Sequence, residues 1–141
     1  MWRWQREYYL KKYIMKVSKQ QFEAWVAEAI ESVPEKFREK INNLAFFVED
    51  YPTQEQLRRA KLNDRKDTLL LGLYEGYHQA KRINVGPVFP DKITIFKNAI
   101  ESLCQTEKDL QKQISETVWH EIAHHFGSDE AGAQKASKKR I

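Results

Sequence analysis

The 141-residue sequence predicts a single α+β domain, in which a small sheet of three to four strands packs against several helices. Three short apolar runs, at 44–48, 69–74 and 93–96, indicate buried strands. Apolar residues elsewhere recur at helical spacing, most clearly at 19–32 and from 106 onward. This length suits one domain with a modest core, and the sequence contains no internal repeat or linker.

The helices are predicted from their start signals. Ser18 and Gln21 form a capping-box pattern in front of a first helix at 19–32. A proline near the first turn opens each of the two helices that follow, at 34–41 and 52–62. Apolar residues recur at helical spacing in the first helix, and the third is amphipathic, so each of these two is expected to bury one face.

The second half combines a loop with two further helices. One glycine and two prolines interrupt the stretch 77–91, which predicts a loop that borders a cleft. A short helix is expected at 98–104, after the third strand. A long helix then begins near Thr106 or Glu107.

The formal net charge of the chain is +4, and its excess of positive charge lies at the two ends. Residues 1–17 and 131–141 each carry a net +4, which leaves −4 for the body between them. Basic ends on an acidic body do not make one binding face, so we expect no nucleic-acid partner. No apolar run is long enough to cross a bilayer, so we expect no membrane partner. The single cysteine, Cys104, is expected to be buried and suits the reducing cytoplasm.

Residues 1–14 form a basic and aromatic leader with no clean period. They lack the continuous apolar segment and the cleavage site of a signal peptide. Because the first structural signals come after Met15, we interpret 1–14 as an upstream extension and 15–141 as the domain.

The most specific pattern is T-V-W-H-E-I-A-H-H-F-G-S-D-E at 117–130, in which His120, Glu121 and His124 spell H-E-x-x-H. Residues four apart lie on the same face of a helix, so His120 and His124 can present two imidazoles to one zinc ion. Glu121 lies close enough to take a proton from a metal-bound water. The alternative is a helix whose two histidines are only solvated.

The residues around the motif favour the zinc interpretation. An apolar stripe runs along one side of the predicted helix: Leu110, Ile114, Val118, Trp119, Ile122, Ala123 and Phe126. The motif residues fall on the other side, so we expect them to face a cleft. Gly127 is the expected stop signal of the helix. His125 points to neither ligand position and is expected to be structural.

A third protein ligand can be sought by elimination. Only seventeen residues follow His124, too few for a glutamate on a separate downstream helix, and no histidine follows His125. Asp129 and Glu130 are the only carboxylates after the helix. Glu130 lies six residues after His124 and three after Gly127, the spacing of the late ligand in the extended H-E-x-x-H-x-x-G-x-x pattern. We predict Glu130 as the third ligand, with Asp129 as the alternative.

With these motifs, the chain resembles the minimal zincin-like metallopeptidases, a family of small bacterial proteins. The resemblance runs from about Ser18 to Glu130 and depends most on V-W-H-E-I-A-H-H-F-G-S-D-E. F-E-A-W-V-A-E-A-I-E-S-V-P-E-K-F, L-L-G-L-Y-E-G and F-P-D-K-I-T-I-F-K support it. It implies a minimal zincin-like α+β fold, in which a small sheet backs the zinc helix, and peptidase activity. The leader and the lysine-rich tail after Glu130 depart from the family pattern.

The first functional hypothesis is a zinc-dependent metallopeptidase that acts on peptides or proteins. Zn²⁺ held by two histidines and one carboxylate keeps a position open for water, and Glu121 accepts and returns the proton. The substrate is expected to pair with an exposed sheet edge. Tyr74, Tyr77 and His78 lie near the predicted cleft as candidates for a second donor to the oxyanion.

The alternative is a zinc-containing module that binds a peptide or protein without cutting it. A domain of this size has few residues with which to line a substrate pocket. Glu121 favours the enzyme, because a structural zinc site needs no general base and tends to fill its positions with cysteine or histidine.

Overall fold

The computed structural model describes residues 15–38, 41, 44–62, 68–76 and 90–126. Within these ranges the chain forms five helices and a three-stranded sheet, which confirms the predicted α+β class. The predicted leader at 1–14, most of the predicted loop and the tail that carries Asp129 and Glu130 lie outside the described residues. No helix in these ranges is long and apolar enough to cross a membrane.

Each predicted helix and strand is present, with shifted ends. The helices are α1 (Lys19–Glu31), α2 (Glu35–Arg38), α3 (Gln54–Arg59), α4 (Lys97–Glu101) and α5 (Glu107–His125). The strands are β1 (Leu44–Glu49), β2 (Gly72–Glu75) and β3 (Asp91–Phe96).

The sheet has the strand order β1-β3-β2, with β3 in the centre. β1 runs parallel to β3, and β2 runs antiparallel to it. Phe46 on β1 and Tyr74 on β2 are both register partners of Ile93. Since directly opposed residues in a sheet point to the same face, these three side chains share one face.

That face packs on the helices and forms the core. Apolar side chains of α1, β3 and α5 are buried together there: Phe22, Val26, Ala29, Ile93, Ile95, Ile114, Val118 and Ile122. Cys104 is buried in the same cluster, as expected. Burial, and after it the negative charges of Asp109 and Glu101, raises the pKa of this thiol.

The start of α1 agrees with the sequence prediction, whereas the end of α3 does not. Ser18 caps α1 by accepting a hydrogen bond from the Gln21 backbone N–H at 3.1 Å. The predicted end of α3 was wrong, because the helix stops at Arg59 instead of Leu62. Lys61 adopts a left-handed φ of 61°, and the Leu62 N–H donates back to the Leu57 carbonyl at 2.8 Å, the pattern that ends a helix.

The strand ends also differ from the sequence prediction. β2 begins at Gly72 instead of Leu69. The ladder with β3 covers Gly72–Glu75, the Leu71 carbonyl accepts one more hydrogen bond from the Phe96 N–H at 2.9 Å, and Leu69 is exposed. β3 begins at Asp91, two residues before the predicted start at Ile93. α4 ends at Glu101 instead of Cys104, and the buried thiol lies beyond it.

A buried ion pair on α4 was missed by the sequence analysis. Lys97 Nζ lies 3.0 Å from Glu101 Oε2, and the Glu101 side chain is only 1% exposed. The Val17 backbone N–H donates to the same carboxylate at 2.8 Å, and the Met15 N–H donates to the Cys104 carbonyl at 3.1 Å. The start of the described chain is therefore tied to α4.

Candidate metal centre

The H-E-x-x-H residues lie in the last two turns of α5. The helix begins at the cap residue Thr106, whose hydroxyl accepts from the Asp109 N–H at 3.1 Å. It then continues for 19 residues and buries Leu110, Ile114, Val118 and Ile122, as the apolar stripe predicts. This buried face fixes the rotation of the helix and so decides which way the histidines point.

The two motif histidines converge. His120 Nε2 and His124 Nε2 lie 3.3 Å apart, and their rings meet edge to face at a centroid distance of 5.0 Å. One ligand atom from each of His120, Glu121 and His124 falls in a group that spans no more than 4.8 Å. Both histidines are half-buried, so one side of the group is open to a ligand.

The spacing of the nitrogens fits zinc. Imidazole nitrogens bind zinc at about 2.0–2.1 Å in tetrahedral sites. Two such nitrogens on one tetrahedral ion are therefore about 3.3–3.4 Å apart, which matches His120 and His124. Two imidazoles with a carboxylate beside them, free to act on a zinc-bound water, also have the chemistry of catalytic zinc sites.

Glu121 shares the group formed by the two histidines but is more buried than either of them. Its side chain is 7% exposed and packs against β2. A Cβ atom at Gly72 would lie 3.1 Å from Glu121 Cγ and 3.0 Å from Thr117 Cγ2. Gly72 thus lets the strand approach α5 at the level of Glu121, and the Cγ atom of this side chain lies against the strand.

One turn further along the same helix face, His125 reaches a second polar group. His125 Nδ1 lies 2.9 Å from Asp91 Oδ2, and the Tyr74 hydroxyl donates to the same oxygen at 2.6 Å. The rings of Tyr74 and His125 meet edge to face at 5.8 Å. His125 therefore has a partner of the kind expected for a structural histidine. The Tyr74 hydroxyl, which the sequence suggested as an oxyanion donor, donates its hydrogen bond to Asp91 instead.

Phe126 was wrongly placed in the buried stripe, because it is 40% exposed. It is the C-cap residue of α5, where the chain leaves the helix, and its ring lies 5.8 Å from that of Phe37 on α2. The predicted stop Gly127, the predicted ligand Glu130 and its alternative Asp129 lie outside the described residues, as do Tyr77 and His78.

Sequence reasoning missed Gly72 and Asp91 as parts of this region. A glycine inside the strand pattern L-L-L-G-L-Y signals close approach of another element, and this signal was available at Gly72. Asp91 precedes an apolar strand and reads as a loop residue, so nothing in the sequence connects it with His125.

The fold and the site together define a small α+β protein whose long helix presents a histidine pair suited to zinc. The family model for zincin-like metallopeptidases matches residues 41–137. This span is more than half of the chain, and the chain belongs to that family, as predicted from its motifs. The match includes all three strands and α5 but not α1. Comparison with curated proteins gave no match.

Proposed function

We propose that this protein is a zinc-dependent metallopeptidase that hydrolyses peptide bonds in peptides or proteins. The observation that carries the proposal is the 3.3 Å separation of His120 Nε2 and His124 Nε2, with the Glu121 carboxylate in the same 4.8 Å group. Membership of the zincin-like metallopeptidase family supports the same class of reaction.

The protein residues divide the work by chemistry. Zinc, when bound, polarises the substrate carbonyl and lowers the pKa of its water. His120 and His124 would hold the ion through their ring nitrogens. Glu121 takes a proton from the attacking water and delivers it to the departing amine. Glu121 Cγ packs against Gly72 of β2, and this contact limits the positions that the side chain can take.

We propose Glu130 as the third zinc ligand, with Asp129 as the alternative. The spacing from His124 and Gly127 favours Glu130. Glu130→Ala should weaken zinc binding strongly, while Asp129→Ala should leave it close to that of the wild type. The reverse order of the two zinc dissociation constants would transfer the role to Asp129.

The edge of β2 is the best place for an extended peptide substrate. β2 pairs with β3 on one side and, within the described residues, has no partner strand on the other. It also lies directly against Glu121 through Gly72. A substrate added to this edge would hydrogen-bond through its main chain, and side-chain pockets would then set specificity.

We further propose that the protein works in the cytoplasm. Its single cysteine, Cys104, is a free, buried thiol. A chain with one cysteine has no intrachain disulfide to form, which suits a reducing compartment.

The decisive experiment compares the wild type with Glu121→Gln. Bound zinc is measured by elemental analysis. Turnover is measured with a peptide library. The variant should keep the wild-type zinc stoichiometry and lose at least about 100-fold in turnover, as expected for removal of a general base. Glu107→Gln, at the far end of the same helix, is the matched control and should leave both quantities unchanged.

Three outcomes would contradict the proposal. Cleavage that survives Glu121→Gln would remove Glu121 from the mechanism, and absence of zinc in the wild type would remove the site. Zinc binding together with peptide binding, but without cleavage by the wild type, would instead favour the binding module.

A further inference from the structure

A polar cluster joins the sheet to the last turn of the candidate zinc helix. Tyr74 comes from β2, Asp91 from β3 and His125 from α5. Both the Tyr74 hydroxyl and His125 Nδ1 contact the same oxygen of Asp91, at 2.6 Å and 2.9 Å. We call these three residues the anchor cluster.

Asp91 is the buried centre of the anchor cluster, and the half-buried Tyr74 and His125 cover it. The side chains of Asp91 and His125 are 6% and 14% exposed. A carboxylate removed from water is costly unless hydrogen bonds replace its hydration. Movement of α5 away from the sheet would break the contact between His125 Nδ1 and Asp91 Oδ2, so the carboxylate resists such movement.

Gly76 adds a further constraint on the same cluster. A Cβ atom at this position would lie 2.5 Å from the Tyr74 hydroxyl oxygen and 2.9 Å from the ring carbon that carries it. The Tyr74 ring thus folds back onto the chain just after β2. The hydroxyl is held where it meets Asp91.

The anchor cluster acts at the weakest part of the zinc helix. The last turn of a helix lacks half of its backbone hydrogen bonds and frays most readily. His124 lies in that turn, next to His125, and Glu121 lies one turn earlier on the same face as His125. A ligand on a fraying turn must be ordered when the metal binds, and this ordering weakens affinity.

We propose that Tyr74 and Asp91 are positioning residues, which hold His125 and thereby preorganise His124 for zinc. This inference rests on the zinc site of the proposed function but not on peptidase activity. Loss of the anchor cluster should therefore weaken zinc binding in the full-length protein, whether or not the protein cleaves a peptide.

The test measures zinc affinity by competition with a chromophoric chelator, in Asp91→Ala and Tyr74→Phe. Asp91→Ala should raise the zinc dissociation constant about 10- to 100-fold, the usual effect of removing a residue that supports a metal ligand. Tyr74→Phe keeps the ring and removes only the hydroxyl, so it should raise the constant about 3- to 10-fold, as expected for one hydrogen bond. The visible absorption of the Co²⁺-substituted variants should also change, because it reports ligand geometry.

Glu101→Gln is the matched control, since it alters a buried carboxylate on α4, which carries no site residue. It should lower the melting temperature of the metal-free protein while leaving the zinc dissociation constant within about twofold of wild type, a difference that corresponds to less than about 0.5 kcal/mol. The anchor variants should instead raise the zinc dissociation constant, whatever their effect on the melting temperature. If Asp91→Ala does not fold, Tyr74→Phe decides.

The outcomes separate this inference from the proposed function. Folded anchor variants with wild-type zinc affinity and a wild-type Co²⁺ spectrum would overturn the positioning role, whatever the turnover. A wild type that binds zinc but cleaves nothing would overturn the peptidase, while weaker binding by the anchor variants would still support the cluster. A wild type that binds no zinc would overturn both.

Discussion

Replacing Gly72 with alanine should lower turnover without lowering zinc affinity. The new methyl group would lie 3.0 Å from Thr117 Cγ2, 3.1 Å from Glu121 Cγ and 3.4 Å from the Thr94 carbonyl oxygen. Carbon atoms in ordinary contact are about 3.5–4.0 Å apart. The methyl group must therefore displace the Thr117 or the Glu121 side chain by a few tenths of an ångström.

The size of the effect follows from two opposed contributions. Overpacking a tight site costs about 1–3 kcal/mol. Alanine recovers only about 0.4–1 kcal/mol by restricting the unfolded chain, so the variant should be less stable. The melting temperature should fall by about 3–5 °C for each kcal/mol in a chain of this length. Since a misplacement of about 1 Å can cost about 100-fold in rate, kcat should fall about 10- to 100-fold.

The assay measures kcat, zinc affinity and melting temperature in the same preparations. Thr117→Ser removes the nearest methyl group but keeps the hydroxyl that donates to the Gln113 carbonyl at 2.8 Å. Added to Gly72→Ala, it should restore part of the lost stability and turnover. Gly76→Ala is the matched glycine control and should act on zinc affinity instead, because its methyl group meets Tyr74. Unchanged turnover in Gly72→Ala would refute the contact between Gly72 and Glu121 as a constraint on catalysis. No recovery with Thr117→Ser would refute the Thr117 methyl group as a source of the strain.

Two smaller predictions concern the scaffold. Thr53→Ala removes the capping box that Thr53 forms with Gln56 at the start of α3, and urea unfolding should show a loss of about 1 kcal/mol; an unchanged midpoint would mean that this helix does not contribute to the cooperative fold. Cys104 should be alkylated much more slowly in the native than in the urea-unfolded protein, because burial raises its pKa and only 3% of it is exposed. Equal alkylation rates in the two states would contradict the burial of the thiol. The raised pKa of Cys104 also contributes to the free energy of unfolding; this contribution is complete below the pKa of the unfolded thiol and is lost as the pH rises through the pKa of the folded one.

Local signals predicted the elements that carry the site. Ser18 predicted the start of α1 at Lys19, and the apolar repeat predicted the buried face of α5. The repeat also predicted that His120 and His124 share a face, because helical spacing alone decides that. Strand ends were less accurate, since a strand ends where its neighbour stops pairing, and the neighbour of β2 is remote in sequence.

The sequence by itself determined the family, the helix that carries H-E-x-x-H and the pair of histidines that meets on one turn. These depend on residues within a few positions of one another, so their spacing along the chain is also their spacing in space. Only the tertiary structure decided that Gly72 lies against Glu121 and that Asp91 joins Tyr74 to His125, residues 17 and 34 positions away. Such contacts depend on how the sheet packs against α5, and that packing is set by the whole core rather than by any local run of residues.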